Sequence, residues 1–273
     1  MIGVFDSGSG GLTILAALRQ QLPEQDFLYL GDHANAPYGH RSNKQIVEFT
    51  QSGVNTLMEA GCSLVILACN TAAAVALRHL QQNWLEKAFP GNRILGVLVP
   101  TVEALTGVPW SQEHPEAAPQ QAKKIILFAT RKTVESEAYT DEIRKRAPHL
   151  DIIGQACPGL VDAIEGGAGP APLAGLISGY VEETDLTSTD AVVLGCTHFP
   201  LVKRYFEQAL PKGTAIYSQP EIVAKSLAGY LARHPQYMTP SNRGSDYWTT
   251  GNPTEIAAVK ALLPASFNNF RSV

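Results

Sequence analysis

The chain has 273 residues, 45% of them hydrophobic, which is ordinary globular composition and enough for one large domain or two modest ones. A formal charge of −4 with scattered basic residues excludes the basic stripe of a nucleic-acid binder. The apolar run after Met1 is too short for a signal peptide and other runs fall short of the roughly 20 residues of a membrane span, so a cytoplasmic protein with no membrane partner is expected.

Strands and helices alternate along the sequence. "MIGVFD" (1–6) reads as a strand, "GLTILAALRQQLP" (11–23) as a helix stopped by Pro23, and "DFLYLGD" (26–32) as the next strand. "NKQIVEFTQSGVNTLMEAG" (43–61) carries a helical pattern, "SLVILACN" (63–70) is a third strand followed by an alanine-rich helix, and "NRILGVLVP" (92–100) is a fourth. Residues 108–124 hold three prolines and many polar side chains, which marks a solvated loop. A second series follows in "KKIILFATRKTVES" (123–136), "LDIIGQACP" (150–158) and "DAVVLGCTHFP" (190–200). After Leu210 come "TAIYSQ", a helical "EIVAKSLAGYLARH", "DYWTTGN" and a last short helix. The order predicts an α/β fold of two pseudo-symmetric domains, each a mostly parallel sheet flanked by helices, with the active site in the cleft between them. The expected division is 1–97 plus 210–273 for the first domain and 98–209 for the second.

Two stretches share one grammar. "LVILACNTAAA" (64–74) and "AVVLGCTHFP" (191–200) each run an apolar strand into a cysteine and a hydroxyl side chain, half a chain apart. The carboxyl ends of buried parallel strands are where α/β folds bind ligands, so Cys69, Asn70, Thr71, Cys196, Thr197 and His198 are placed for chemistry. One cysteine at a strand end is ordinarily core filler; the duplication argues otherwise. Reduced thiols are expected in the cytoplasm, so a Cys69–Cys196 disulfide is not, and without a CxxC pair neither is a structural zinc. Cys62 and Cys157 fall outside the pattern and are expected to pack; Cys157 ends a strand, so a place near the cleft is the alternative.

The opening "FDSGSGGLT" (5–13) resembles a phosphate cradle but fails the dinucleotide fingerprint, whose third glycine would fall on Thr13, and no P-loop lysine follows. Asp6 instead ends the first strand, and Ser7 opens a loop whose backbone feeds a helix N-terminus suited to a carboxylate. Pro37, Tyr38 and Gly39 form a tight turn after the second strand, where backbone can approach a ligand.

Taken in order, "DSGSGGLT", "PYG", "CNTA" and "GCTHFP", supported by "ATRKTVESEAY" (129–139), resemble the glutamate racemases, cofactor-independent enzymes that supply D-glutamate for peptidoglycan. The resemblance implies that Cys69 takes the α-proton from D-glutamate and Cys196 from L-glutamate, with Asp6 and His198 as assistants. It further implies that Ser7, Pro37, Tyr38, Gly39, Asn70, Thr71 and Thr197 bind the substrate's carboxylates and ammonium, with Thr130 and Thr133 lining the site from the second half. Dimers are common in the resembled family, so a homodimer is a candidate assembly, but no interface is legible. Two departures stand out: Gln219 in "YSQPE" sits where relatives carry an acid, and the loop before Lys124 is long. Because the chain starts at its first strand, the activation through an N-terminal extension that some members use is not expected.

Two thiols suit the reaction because racemisation needs a base on one face of a carbon and an acid on the other. A free cysteine titrates near 8.5, so forming its thiolate at pH 7 is expected to cost about 2 kcal/mol. The carbanion is harder, and aimed N–H and O–H donors must stabilise the charge that develops on the carboxylate. Rival readings are a racemase of another amino acid such as aspartate, a metal-dependent hydrolase using Cys69, Cys196, His198 and Asp6, and a solute-binding protein; neither a cofactor nor a metal is expected.

Overall fold

The computed structural model describes residues 1–109, 123–239, 244–254 and 270–273. The first sheet contains β1 (Ile2–Asp6), β2 (Phe27–Gly31), β3 (Leu64–Leu67) and β4 (Arg93–Gly96), joined by β9 (Asp246–Thr249) and β10 (Arg271–Ser272) from the end of the chain. Its order is β10-β9-β2-β1-β3-β4, and every pairing is parallel. The second contains β5 (Lys123–Ala129), β6 (Leu150–Ala156), β7 (Thr189–Gly195) and β8 (Ala215–Ser218), in the parallel order β6-β5-β7-β8. The α/β architecture of two helix-flanked parallel sheets is as expected.

The innermost strands explain the apolar runs. Every residue of β1 and β3 is buried, as required of strands covered by helices on both faces. Along β5, Ile125, Leu127 and Ala129 join the core of the first half, while Ile126 and Phe128 face the core of the second. That period of two makes one face of the second sheet part of the contact between the halves.

Two boundaries differ from the sequence reading. The fourth strand stops at Gly96, and residues read as its continuation form the helix Leu98–Thr106, closed by Gly107 in the left-handed region at φ 69°. Pro100 falls in the first helical turn, where a missing N–H forfeits no intrahelical bond. The chain also returns to the first half later than residue 210: β8 pairs with β7, and the return begins with the helix Gln219–Arg233, which packs on Leu12–Gln21. The last short helix and most of the Pro-rich loop fall outside the described residues.

Candidate active site

Parallel strands put their carboxyl ends on one edge, and three of them deliver the candidate residues. Asp6 ends β1, Cys69 follows β3 by two residues, and Cys196 directly follows β7. Cys69 caps the helix Asn70–Val75, its Sγ accepting the Ala72 N–H at 3.4 Å and lying 3.3 Å from Ser7 Oγ. Both thiols are free and 5% exposed. They line a single cavity of about 310 Å³, one from each half.

Of the residues marked in the sequence, Ser7, Pro37, Tyr38 and Gly39 line this cavity from the first half, as do Asn70 and Thr71 beside Cys69. Thr130, Thr197 and His198 line it from the second. Asp6 and Thr133 are the two that do not; both stand directly behind the lining. Asp6 Oδ2 accepts the Gly8 N–H at 3.0 Å, and Thr197 Oγ1 reaches Asp6 Oδ1 at 3.3 Å. Thr133 Oγ1 lies 3.0 Å from Thr130 Oγ1, which in turn meets Thr71 Oγ1 at 2.9 Å across the cleft.

The glycine-rich loop earns its glycines through this contact rather than through a phosphate. A Cβ on Gly10 would strike the His198 ring and come 2.5 Å from Thr197 Oγ1, and one on Gly11 would come 2.5 Å from the Asp6 Cβ. Thr13 Oγ1 seals the same junction by donating to the carbonyls of Gly10 and Thr197, at 2.8 and 2.9 Å.

Several contributors were not assigned to the site from the sequence. Glu165, at the end of the helix Leu160–Glu165, places Oε1 2.6 Å from His198 Nε2 and 3.3 Å from the Ser9 N–H. His33 lies 2.9 Å from Ser9 Oγ through Nε2 and 2.8 Å from Thr249 Oγ1 through Nδ1. Cys157, expected to pack, is buried but also lines the cavity, as do His40, Arg131 and Asp162. Glu165 and Asp162 belong to no marked motif, and the helix Leu160–Glu165 brings them to the cleft; His33 and His40 flank the marked turn after β2, Arg131 lies within the marked 129–139 stretch, and Cys157 directly follows β6.

Burial dominates the electrostatics. It pushes the Cys69 thiol up to about 12, with the nearby Asp6 carboxylate adding to the effect and the Ser7 and Ala72 hydrogen bonds opposing it. The sequence expectation of an easily formed thiolate is therefore opposed at Cys69 by its burial. Burial likewise raises Asp6, against the His198 charge and the Gly8 and Gly11 N–H groups. Burial opposes ionisation of His198 too, yet hydrogen bonds to Cys196 and Glu165 and the Glu165 charge hold the imidazole well above its usual value. Burial would raise Glu165, but its hydrogen bond to His198 and the His198 charge hold it low. His198 Nδ1 lies 3.9 Å from Cys196 Sγ, so an imidazolium faces that thiol. Among the described residues, no group of three or more His, Cys, Asp and Glu side chains is arranged to hold a metal ion.

Among the described residues, no helix is long and apolar enough to cross a membrane. No protein-family model matches the chain. The chain is 45% identical over 265 residues to the glutamate racemase of Phenylobacterium zucineum, covering 92% of each sequence. It is 44% identical over 261 residues to that of Paracoccus denitrificans, covering 94% of this chain and 93% of the relative. The crystal structure of Francisella tularensis glutamate racemase in complex with D-glutamate superposes with a TM-score of 0.85 at 27% identity, covering 100% of this chain and 96% of that one. Picrophilus torridus aspartate racemase is more distant, at TM-score 0.57 and 16% identity over 85% of this chain and 94% of that one, and shares only the fold. With two cysteines facing one cavity from duplicated strand ends and relatives matched along nearly their full length, this chain belongs to the glutamate racemase family.

Proposed function

We propose that this chain interconverts L- and D-glutamate without a cofactor, using Cys69 and Cys196 as acid–base groups on opposite sides of the α-carbon. The observation that carries the reading is that the two thiols come from different halves of the molecule and line the same cavity. With D-glutamate, Cys69 Sγ takes the α-proton and the Cys196 S–H gives one to the opposite face; with L-glutamate the roles reverse. Each turnover leaves the thiol that acted as base protonated and the other ionised, so a proton must be redistributed before the next turnover in the same direction.

The surroundings supply what the thiols lack. A resident Cys69 thiolate is disfavoured by burial, and the substrate's ammonium group offsets that when the zwitterion occupies the cavity. Cys196 faces His198, whose ring is anchored by Glu165, so an oriented N–H donor stands beside that thiol. Ser7, Asn70, Thr71 and Thr197 present donors to the α-carboxylate, where charge develops as the proton leaves. The turn at Pro37–Gly39, held by the Tyr38 hydroxyl donating to Asp32 at 2.6 Å, offers backbone and ring edges to the side-chain carboxylate. In keeping with the family, the D-enantiomer supplies peptidoglycan synthesis, a role that fits an enzyme of the cytoplasm.

Following circular dichroism of purified enzyme with L-glutamate, D-glutamate and both aspartates tests the reading. Equal approach to a racemic mixture from either glutamate is expected, with aspartate turned over slowly or not at all. Turnover of aspartate alone would overturn the substrate assignment.

A further inference from the structure

Gln219 is 0% exposed at the point where the chain leaves β8 for the first half. Its amide meets Asn70 beside the Cys69 thiol, Thr101 in the connecting helix Leu98–Thr106, and Tyr139 in the second-half helix Ala138–Arg146. The hydrogen bonds among these four side chains have one consistent sense. Thr101 Oγ1 spends its only hydrogen on the Val97 carbonyl at 2.7 Å, so toward Gln219 it can only accept. Gln219 therefore turns Nε2 to Thr101, at 3.0 Å, and presents Oε1 to Asn70 Nδ2, at 2.6 Å. Asn70 Oδ1 in turn accepts from the Tyr139 hydroxyl at 2.7 Å and from Gln219 Nε2 at 3.1 Å.

We propose that Gln219 is a positioning residue for catalysis: it fixes the Asn70 carboxamide so that an N–H, and not the carbonyl, faces the substrate carboxylate. One Nδ2 hydrogen is committed to Gln219, and the other remains for the cavity that Asn70 lines. A reversed amide would turn carbonyl oxygen toward an anion. The inference rests on Asn70 being a substrate ligand. It also gives a reason for an amide where the family resemblance leads one to expect an acid: an ionised carboxylate at 219 has no hydrogen for Thr101 Oγ1, Tyr139 Oη or Asn70 Oδ1 and would be a buried charge.

The test compares kcat/KM against pH for Gln219→Glu, Thr101→Val, Asn70→Ala and the unsubstituted enzyme, with thermal melting as the control for folding. A protonated glutamic acid at 219 donates once, toward Thr101, and accepts from Asn70, which preserves the native sense; burial extends that form above the usual carboxylate range. The other three partners bring one titratable group, Tyr139, whose phenol burial holds well above its usual value, so it stays protonated across the range. Gln219→Glu is expected to match the unsubstituted enzyme at the acidic end and to fall about tenfold below it as pH rises, the scale of one hydrogen bond to a charged ligand. Thr101→Val, which removes the group that sets the sense, is expected to lose about tenfold at every pH. If both variants melt normally and follow the unsubstituted profile while Asn70→Ala is impaired, the positioning role is overturned. If Asn70→Ala is itself unimpaired, the underlying assignment of Asn70 fails. Should Gln219→Glu not fold, Thr101→Val alone carries the test on the same terms.

Discussion

Glu165 Oε1 lies 2.6 Å from His198 Nε2, with Glu165 supplied by a helix of the second half and His198 by the loop after β7. His198 is held above its ordinary value of 6.5 and Glu165 below its ordinary 4.5, so the folded protein favours the charged form of each. The histidine's share of stability is complete below its unfolded pKa and is lost as pH rises through the raised folded value. The glutamate's share is present above its unfolded pKa and is lost as pH falls through the lowered one. The melting difference between the unsubstituted protein and Glu165→Gln is therefore expected to be largest between pH 4.5 and 6.5, and to shrink on both sides. About 1.5–3 kcal/mol is the scale for a hydrogen bond to a charged group. A pH-independent difference in thermal unfolding would show that the pair is not ionised as described.

Asp6 and Cys69 give a prediction in which reactivity and catalysis move in opposite directions. After burial, the Asp6 carboxylate is the largest influence raising the Cys69 thiol. Asp6→Asn removes that negative charge, so Cys69 should ionise more readily. Alkylation of Cys69 by iodoacetamide at pH 8, read by peptide mass spectrometry, is expected to be several-fold faster in Asp6→Asn. Racemisation is expected to fall by about a hundredfold, the lower end for loss of a group that assists proton transfer. Slower alkylation would contradict the electrostatic account, and normal turnover would contradict the assisting role.

The strand-end cysteines were legible because a buried parallel strand writes its address in sequence: an unbroken apolar run followed by polar side chains. The same logic found Asp6 and Ser7. It failed at Val97–Pro100, because an apolar run is equally compatible with strand or buried helix, and the hydrogen-bond ladder that ends at Gly96 is a tertiary fact. Cys157 follows a strand end as the other two cysteines do, but its stretch lacks the polar residues that marked theirs; Glu165 escaped for a different reason. No sequence pattern marks residues 160–165, and only the placement of the helix Leu160–Glu165 over the cleft brings the carboxylate to His198. Gln219 was noticed as a departure, but its four-way amide network needs three other segments to be in place before it has any meaning.

Gly10 probes the closeness of the two halves. A methyl group there would strike His198 and Thr197, both on the second half, where the neighbours are buried and cannot swing away freely. Gly10→Ala is expected to destabilise by about 1–3 kcal/mol, the usual cost of overpacking, and to lower kcat/KM because His198 is displaced from Cys196. Melting temperature and turnover measured together check this. An alanine variant with unchanged stability and rate would mean that the junction is looser than the contacts imply.

The opposed thiols make a prediction that no single-base enzyme shares. Because the two enantiomers have equal free energy, kcat/KM must remain equal in the two directions in every variant, so racemisation rates cannot reveal which thiol serves which enantiomer. Exchange of the α-hydrogen with deuterated solvent can. Cys69→Ala and Cys196→Ala are each expected to lose racemisation by about 10³-fold or more in both directions, within the range for removing a general acid or base. In Cys196→Ala, Cys69 still faces the α-hydrogen of D-glutamate, so that enantiomer is expected to exchange slowly without inverting while L-glutamate stays inert. Cys69→Ala is expected to show the mirror result, with L-glutamate exchanging and D-glutamate inert. Proton NMR of the Cα–H signal distinguishes the four cases directly. If one variant exchanged both enantiomers alike, a single base would be reaching both faces of the carbon, and the division of labour between the two halves would be wrong.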